Sequence, residues 1–238
     1  MKYTLLVTLC FISITTKAQT GFFLQPVAGI GAANVRHVDY TGQTHRDDYD
    51  INFDAGALAG YQRGKWIFTT GLLYLRTGSK TPFTLTDPYG NPTGKSWFQY
   101  RYSHLVLPLE VGRIFIIGKK LTLTPSAGLG LTYNTSGVIK ADIGNKVIDI
   151  PVAGLNSYKN GTGCYALAQA ELAWPITSKL AITCAPAYNY MLTRMIFQQS
   201  SPDAVWDHDY SLLLNIGIKW HFAKSGKDAR KKASVEAK

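Results

Sequence analysis

Along much of the chain, apolar and polar residues alternate one by one. In Asp209–Phe222, "DYSLLLNIGIKWHF", Tyr210, Leu212, Leu214, Ile216, Ile218, Trp220 and Phe222 are large and apolar. Between them stand Ser211, Asn215, Gly217, Lys219 and His221, with Leu213 the one apolar exception. A period of two marks a β-strand with two unlike faces. The same alternation runs through Gly21–Val35, Asp50–Gln62, Ser103–Gly112, Lys120–Asn134 and Cys164–Trp174. Lys65–Ser79 and Lys179–Met195 are strand-like but less cleanly two-faced. The pattern predicts eight strands, each long enough to cross a bilayer at a tilt, which takes about 9–11 residues.

The connections alternate in length. Short turns are expected near Arg63-Gly64, Ile114–Lys119 and Ile176–Ser178, and long polar loops at His37–Tyr49, Lys80–Gln99, Gly137–Asn160 and Gln198–Asp207. That layout belongs to an up-and-down barrel. It puts both ends of the barrel at the short-turn side.

Alternation by itself does not say which face is out. A soluble lipocalin-like barrel would turn its apolar face inward. Three features favour the opposite arrangement. The less apolar face is rich in Gly, Ser, Thr and Asn, which suits a narrow packed interior rather than a solvated surface. Aromatics stand near strand ends (Tyr61, Trp66, Tyr133, Trp174, Tyr190, Trp220), as interface girdles do. The last strand closes on Phe222. The expected fold is an all-β, eight-stranded antiparallel up-and-down transmembrane β-barrel, with short periplasmic turns and long extracellular loops.

The first residues do not fit the barrel. "MKYTLLVTLCFISITTKAQT" has Lys2, an apolar run from Tyr3 to Ile14 and then Thr16-Lys17-Ala18. This reads as a signal peptide over residues 1–18, cut before Gln19. Leu9 is too bulky for a lipoprotein signal ending at Cys10. The barrel is expected over residues 19–222 and a basic periplasmic tail over 223–238. The net charge is +10, and loss of Lys2 and Lys17 leaves +8. An exported chain does not meet nucleic acid, so this charge points to outer-membrane lipids and the phosphates of lipopolysaccharide. The tail, with Lys224, Lys227, Arg230, Lys231, Lys232 and Lys238, reads as a solvated end, or as a contact for inner-leaflet headgroups or an envelope protein partner. Nothing in the sequence sets an oligomeric state.

The Gly-rich "VAGIGAA" of the first strand, "TTGLLYLRTGSK", "SHLVLPLEVG" and a signal ending in Ala-Gln together resemble the PorT-like outer-membrane β-barrel proteins of the Bacteroidetes. The likeness runs over the whole mature chain. It implies the barrel fold and the cell outer membrane, and it supplies no catalytic residues. The basic extension after Phe222 departs from barrels that stop at the terminal aromatic.

Few residues suggest chemistry. Glu110, Glu171 and Lys219 fall on the inward face at similar expected depth. They read as a structural ion cluster filling a narrow lumen, with a proton or ion path as the alternative. Asp207-His208-Asp209 has metal-ligand residue types but stands at a solvated strand edge. Thr44–Asp50 is an acidic loop edge. Ser103 and His104 are neighbours on one strand and so point to opposite faces. No nucleophile elbow, phosphate loop or zinc-protease motif occurs, and no cofactor or metal is implied. Cys164 and Cys184 take outward positions in adjacent strands. Cys164 should lie opposite a residue near Tyr190, out of step with Cys184 and too far from it for a disulfide. The expected function is non-enzymatic, in envelope structure or as an interaction component acting through the outer loops or the tail. A small ion or solute pore, or less readily an outer-membrane lipid-modifying enzyme, stands as the alternative.

Overall fold

The computed structural model describes residues 21–38, 44–118, 120–143, 146–151, 162–193, 195–196 and 206–222. The expected signal peptide and basic tail lie outside these residues. Eight strands form a closed antiparallel ring. They are β1 (Gly21–Val38), β2 (Asp48–Arg63), β3 (Trp66–Thr86), β4 (Pro92–Arg113), β5 (Leu121–Ile143), β6 (Thr162–Pro175), β7 (Leu180–Met191) and β8 (Trp206–His221). Each pairs with the next in sequence. β8 pairs back onto β1 from Phe23↔His221 to Val38↔Trp206, so the ring has no free edge. Closure satisfies the wall's backbone groups internally. Phe222 ends β8 in practice, because its N–H donates to the Phe22 carbonyl at 2.8 Å.

The inward and outward faces are those the alternation predicts. Leu24, Ile30, Leu107, Leu109, Leu129, Leu131, Leu212, Leu214, Ile216 and Ile218 are exposed, whereas Gln25, His104, Glu110, Thr124, Glu171 and Lys219 are buried. β7 also proves two-faced: Ala181, Thr183, Ala185 and Ala187 are buried, and Ile182 and Tyr188 are exposed. Its alternation was blurred because the lumen face is mostly alanine. Gly128 shows how tightly the wall is drawn, since a Cβ there would stand 2.0 Å from the Leu109 carbonyl oxygen of the neighbouring strand. The short turn between β2 and β3 relies on Gly64 at φ 63°, the left-handed conformation a two-residue hairpin wants.

The long-loop side differs from the sequence expectation. Most of Lys80–Gln99 is strand rather than loop. β3 runs on to Thr86, β4 starts at Pro92, and only Asp87–Asn91 forms the turn. Pro82 signals a break in the sequence, yet it pairs only with Trp97, beyond the point where β2 leaves β3. At such an edge the missing N–H removes no ladder bond. Stacked Phe83 and Phe98 rings, 4.6 Å apart, and the Lys80 ammonium 4.6 Å over the Trp97 ring hold the ribbon together. In the turn, the Asp87 carboxylate accepts from Asn91 Nδ2 (3.0 Å), Asn91 N (2.8 Å) and Tyr89 N (2.9 Å), which holds it below the usual carboxylate range. Gly137–Asn160 is likewise partly strand, with β5 reaching Ile143 and Lys146–Pro151 pairing back on it. In His37–Tyr49, Thr44–Arg46 pairs with the end of β1, and β2 begins at Asp48. Of Gln198–Asp207, only Trp206 and Asp207 are described, and they begin β8.

Candidate functional site: a closed lumen

Among the described residues the lumen is the one interior the fold creates, and its filling decides what can pass. Near the short-turn end, Lys219 of β8 makes a buried ion pair with Glu171 of β6. The two residues are 5% and 8% exposed. Gln25 of β1 donates to the same carboxylate at 2.8 Å and to the Thr183 hydroxyl at 3.0 Å. The Lys219 ammonium also lies 4.8 Å over the Phe23 ring. Glu110 of β4 belongs to the same end but does not join this pair. Its carboxylate accepts from Ser126 (2.7 Å) and Gln169 (2.7 Å). The expected three-residue cluster is therefore an ion pair beside a separately held carboxyl group.

Above this layer an apolar plug stands in the bore: Leu75, Val106, Tyr165, Leu167, Ala187, Met191 and Leu213 form one buried cluster. Leu213, the exception in the alternation of β8, is an inward member of the plug. A cavity of about 30 Å³, lined in part by Asp54, Glu110 and Asn215, is left beside it. That is room for a water or two. Towards the long-loop end Asp209 is wholly buried, accepting from Thr77 (2.7 Å) and Tyr165 (2.8 Å). Gln25, Gln169 and Tyr165 fall on the inward positions of the alternation in Gly21–Val35 and Cys164–Trp174, which does not mark them as partners of carboxylates. Their common inward parity at matching depth was the available signal.

The other candidates separate. Ser103 bonds the Tyr74 hydroxyl at 2.8 Å on the outer side, while His104 is fully buried, edge-on to Tyr165 at 6.0 Å. They do not form a nucleophile and base. His208 stacks on Tyr190 at 5.7 Å, whereas Asp209 turns into the lumen, so these two residues do not converge. The Asp207 side chain lies outside what is described. From the acidic loop edge, Asp47 accepts from Ser79 (2.5 Å) and Asp50 from Gln99 (2.7 Å). Both thus tie the upper wall together. Cys164 and Cys184 are free. Tyr190 pairs with Ala166, and Leu192 donates to the Cys164 carbonyl at 2.8 Å, while Cys184 pairs with Leu172. The two cysteines are far out of step, as expected.

Outside, aliphatic side chains cover the middle of the wall. Phe22, Phe68, Trp66, Trp174 and Trp220 stand exposed at the short-turn end, and Tyr49, Phe53, Tyr133 and Tyr188 towards the other. An apolar band between two aromatic girdles, around a polar and plugged bore, has only a bilayer as its solvent. The chain is a transmembrane β-barrel. Among the described residues no helix is long and apolar enough to cross a membrane, and the crossing is made by strands.

No protein-family model and no curated protein matches the sequence. Among solved structures, the chain is similar to Neisserial surface protein A (14% identity, 87% of this chain and 100% of that one, TM-score 0.39). It is also similar to Ail, the attachment invasion locus protein of Yersinia pestis (14%, 83% and 99%, TM-score 0.31). A third is the outer membrane protease OmpT from Escherichia coli (9%, 88% and 99%, TM-score 0.39). At these scores the likeness adds nothing to what strand order and outer face show by themselves.

Glu110 gives a first expected result. Glu110→Gln keeps an acceptor for Ser126 and Gln169 and removes a negative charge near Glu171. It should change stability by about 1 kcal/mol or less in urea titration of the folded barrel. A loss several times larger would mean that the charge of Glu110 is itself needed.

Proposed function

We propose that this protein is a non-enzymatic outer-membrane barrel with a closed bore, acting in envelope structure or as an interaction component. Its working surfaces are the sheet raised above the barrel by β3, β4 and β5, and the basic tail. The observation that carries this reading is the filled lumen. The Lys219–Glu171 pair and the apolar plug around Leu213 stand across the bore in succession. The separation of Ser103 from His104 speaks against a lipid-modifying enzyme. The resemblance to the PorT-like proteins of the Bacteroidetes supports a place in envelope assembly. On this reading the short turns face the periplasm, residues 1–18 are removed on export, and the long-loop ribbon faces outward.

The test has two parts. The protein should fractionate with the outer membrane, begin at Gln19 and show a gel mobility that shifts on heating, as folded barrels do. In planar bilayers it should give no regular conductance steps. Uniform steps that vanish when the barrel is unfolded would replace this reading with the pore. Recovery as a soluble species would remove both.

A further inference from the structure

The rim at the short-turn end carries charge of one sign. Arg63, Lys65, Arg113, Lys120 and Lys179 stand there, and among the described residues no aspartate or glutamate shares its outer surface. Asp47, Asp48, Asp50, Asp87, Asp142 and Asp149 stand at the opposite end. Two of the rim cations are held in a defined relation. The strand register puts Arg63 beside Trp66 and Trp66 beside Arg113 in one row across β2, β3 and β4. All three are exposed and continue the outward face. The Arg113 guanidinium lies 5.8 Å over the Trp66 ring and 5.6 Å over Phe115. One step towards the barrel's middle, Tyr61, Phe68 and Val111 form the next outward row, and the Phe22 ring lies 4.9 Å from that of Tyr61.

We propose that Arg63 and Arg113, on either side of Trp66, form a binding site for the phosphate of an anionic phospholipid in the leaflet next to the short turns. Two strands apart, the arginine backbones are separated by about 10 Å. The Arg113 guanidinium already lies over the indole, and a headgroup phosphate held there comes within reach of the long Arg63 side chain from the other side. The aromatic row below it lies at acyl-chain depth. A lipid therefore satisfies both rows at once, and a free anion satisfies only the upper one. Continuity with the lipid-facing belt selects a lipid over a soluble acidic partner.

This rests on the membrane reading, and the experiment keeps the two apart. Full-length barrel is reconstituted in phosphatidylcholine vesicles, with heat-modifiability as the check on folding. Spin-labelled phosphatidylglycerol and phosphatidylcholine then report the relative affinity of the boundary lipid. The wild type should prefer phosphatidylglycerol. Arg63→Gln and Arg113→Gln should each lower the preference roughly fivefold, the factor for one basic side chain at an anionic surface. The double change Arg76→Gln/Lys80→Gln at the opposite rim should leave it in place, as should inorganic phosphate in the buffer. Equal loss in both sets of variants, no loss in Arg63→Gln/Arg113→Gln, or displacement by inorganic phosphate overturns the site. A wild type that never inserts as a heat-modifiable barrel overturns the membrane reading itself.

Discussion

Lys219→Ala should destabilise the barrel by about 3–5 kcal/mol, the usual cost of breaking a buried ion pair from one side. The change leaves the Glu171 carboxylate in the bore with Gln25 as its remaining donor. Removing both charges is a different experiment. Glu171→Leu with Lys219→Met fills similar volume and strands no charge, so it should recover most of the loss. Urea titration in detergent, followed by the heat-modifiable band, reads both. If Lys219→Ala costs no more than an ordinary surface change, within about 0.5 kcal/mol, the pair does not hold the bore together. Glu171→Gln supplies a further comparison, since it leaves Lys219 with a neutral acceptor and the Phe23 ring.

The wall was legible in the sequence because one face of every strand meets hydrocarbon and must be apolar. Leu105, Leu107, Leu109 and Val111 announce the outer face of β4 by themselves. The lumen was less legible. Inward residues answer to partners two or three strands away, such as Tyr165 to Asp209 and Gln25 to Glu171, and alternation carries no such distances. It gave the common face of Glu110, Glu171 and Lys219, but not that Ser126 and Gln169 hold the first of them apart. The raised ribbon was the least legible part. There Pro82 and the Asp87-Pro88 turn read as loop signals, and only the loss of β2 as a neighbour makes Pro82 acceptable in a strand. The row Arg63–Trp66–Arg113 was hidden for a related reason. Arg113 is far from Arg63 and Trp66 in sequence, and only the register of β4 against β3 brings it level with them.

Leu214→Arg should cost about 2–4 kcal/mol, the penalty for a cation on the lipid face near the bilayer midplane. Leu214 lies near the middle of β8, 48% exposed, opposite Ile30 on one side and Pro186 on the other. Neither neighbour offers a hydrogen bond, and lipid offers none. The long arginine must reach along the wall towards an interface. Asn215→Ser changes the next residue, which turns into the lumen opposite Gly29 and Ala185. It keeps a polar group there in a smaller side chain, so it should cost clearly less. The comparison is informative because a barrel with the same two faces but water outside would reverse the order. With water outside, an arginine at Leu214 would cost little, and the packed residue would be the sensitive one. Both variants, scored by heat-modifiability and by urea titration, therefore test directly whether the outer face of β8 meets lipid. An Asn215→Ser protein less stable than Leu214→Arg would mean that the exposed leucines of β8 do not face lipid.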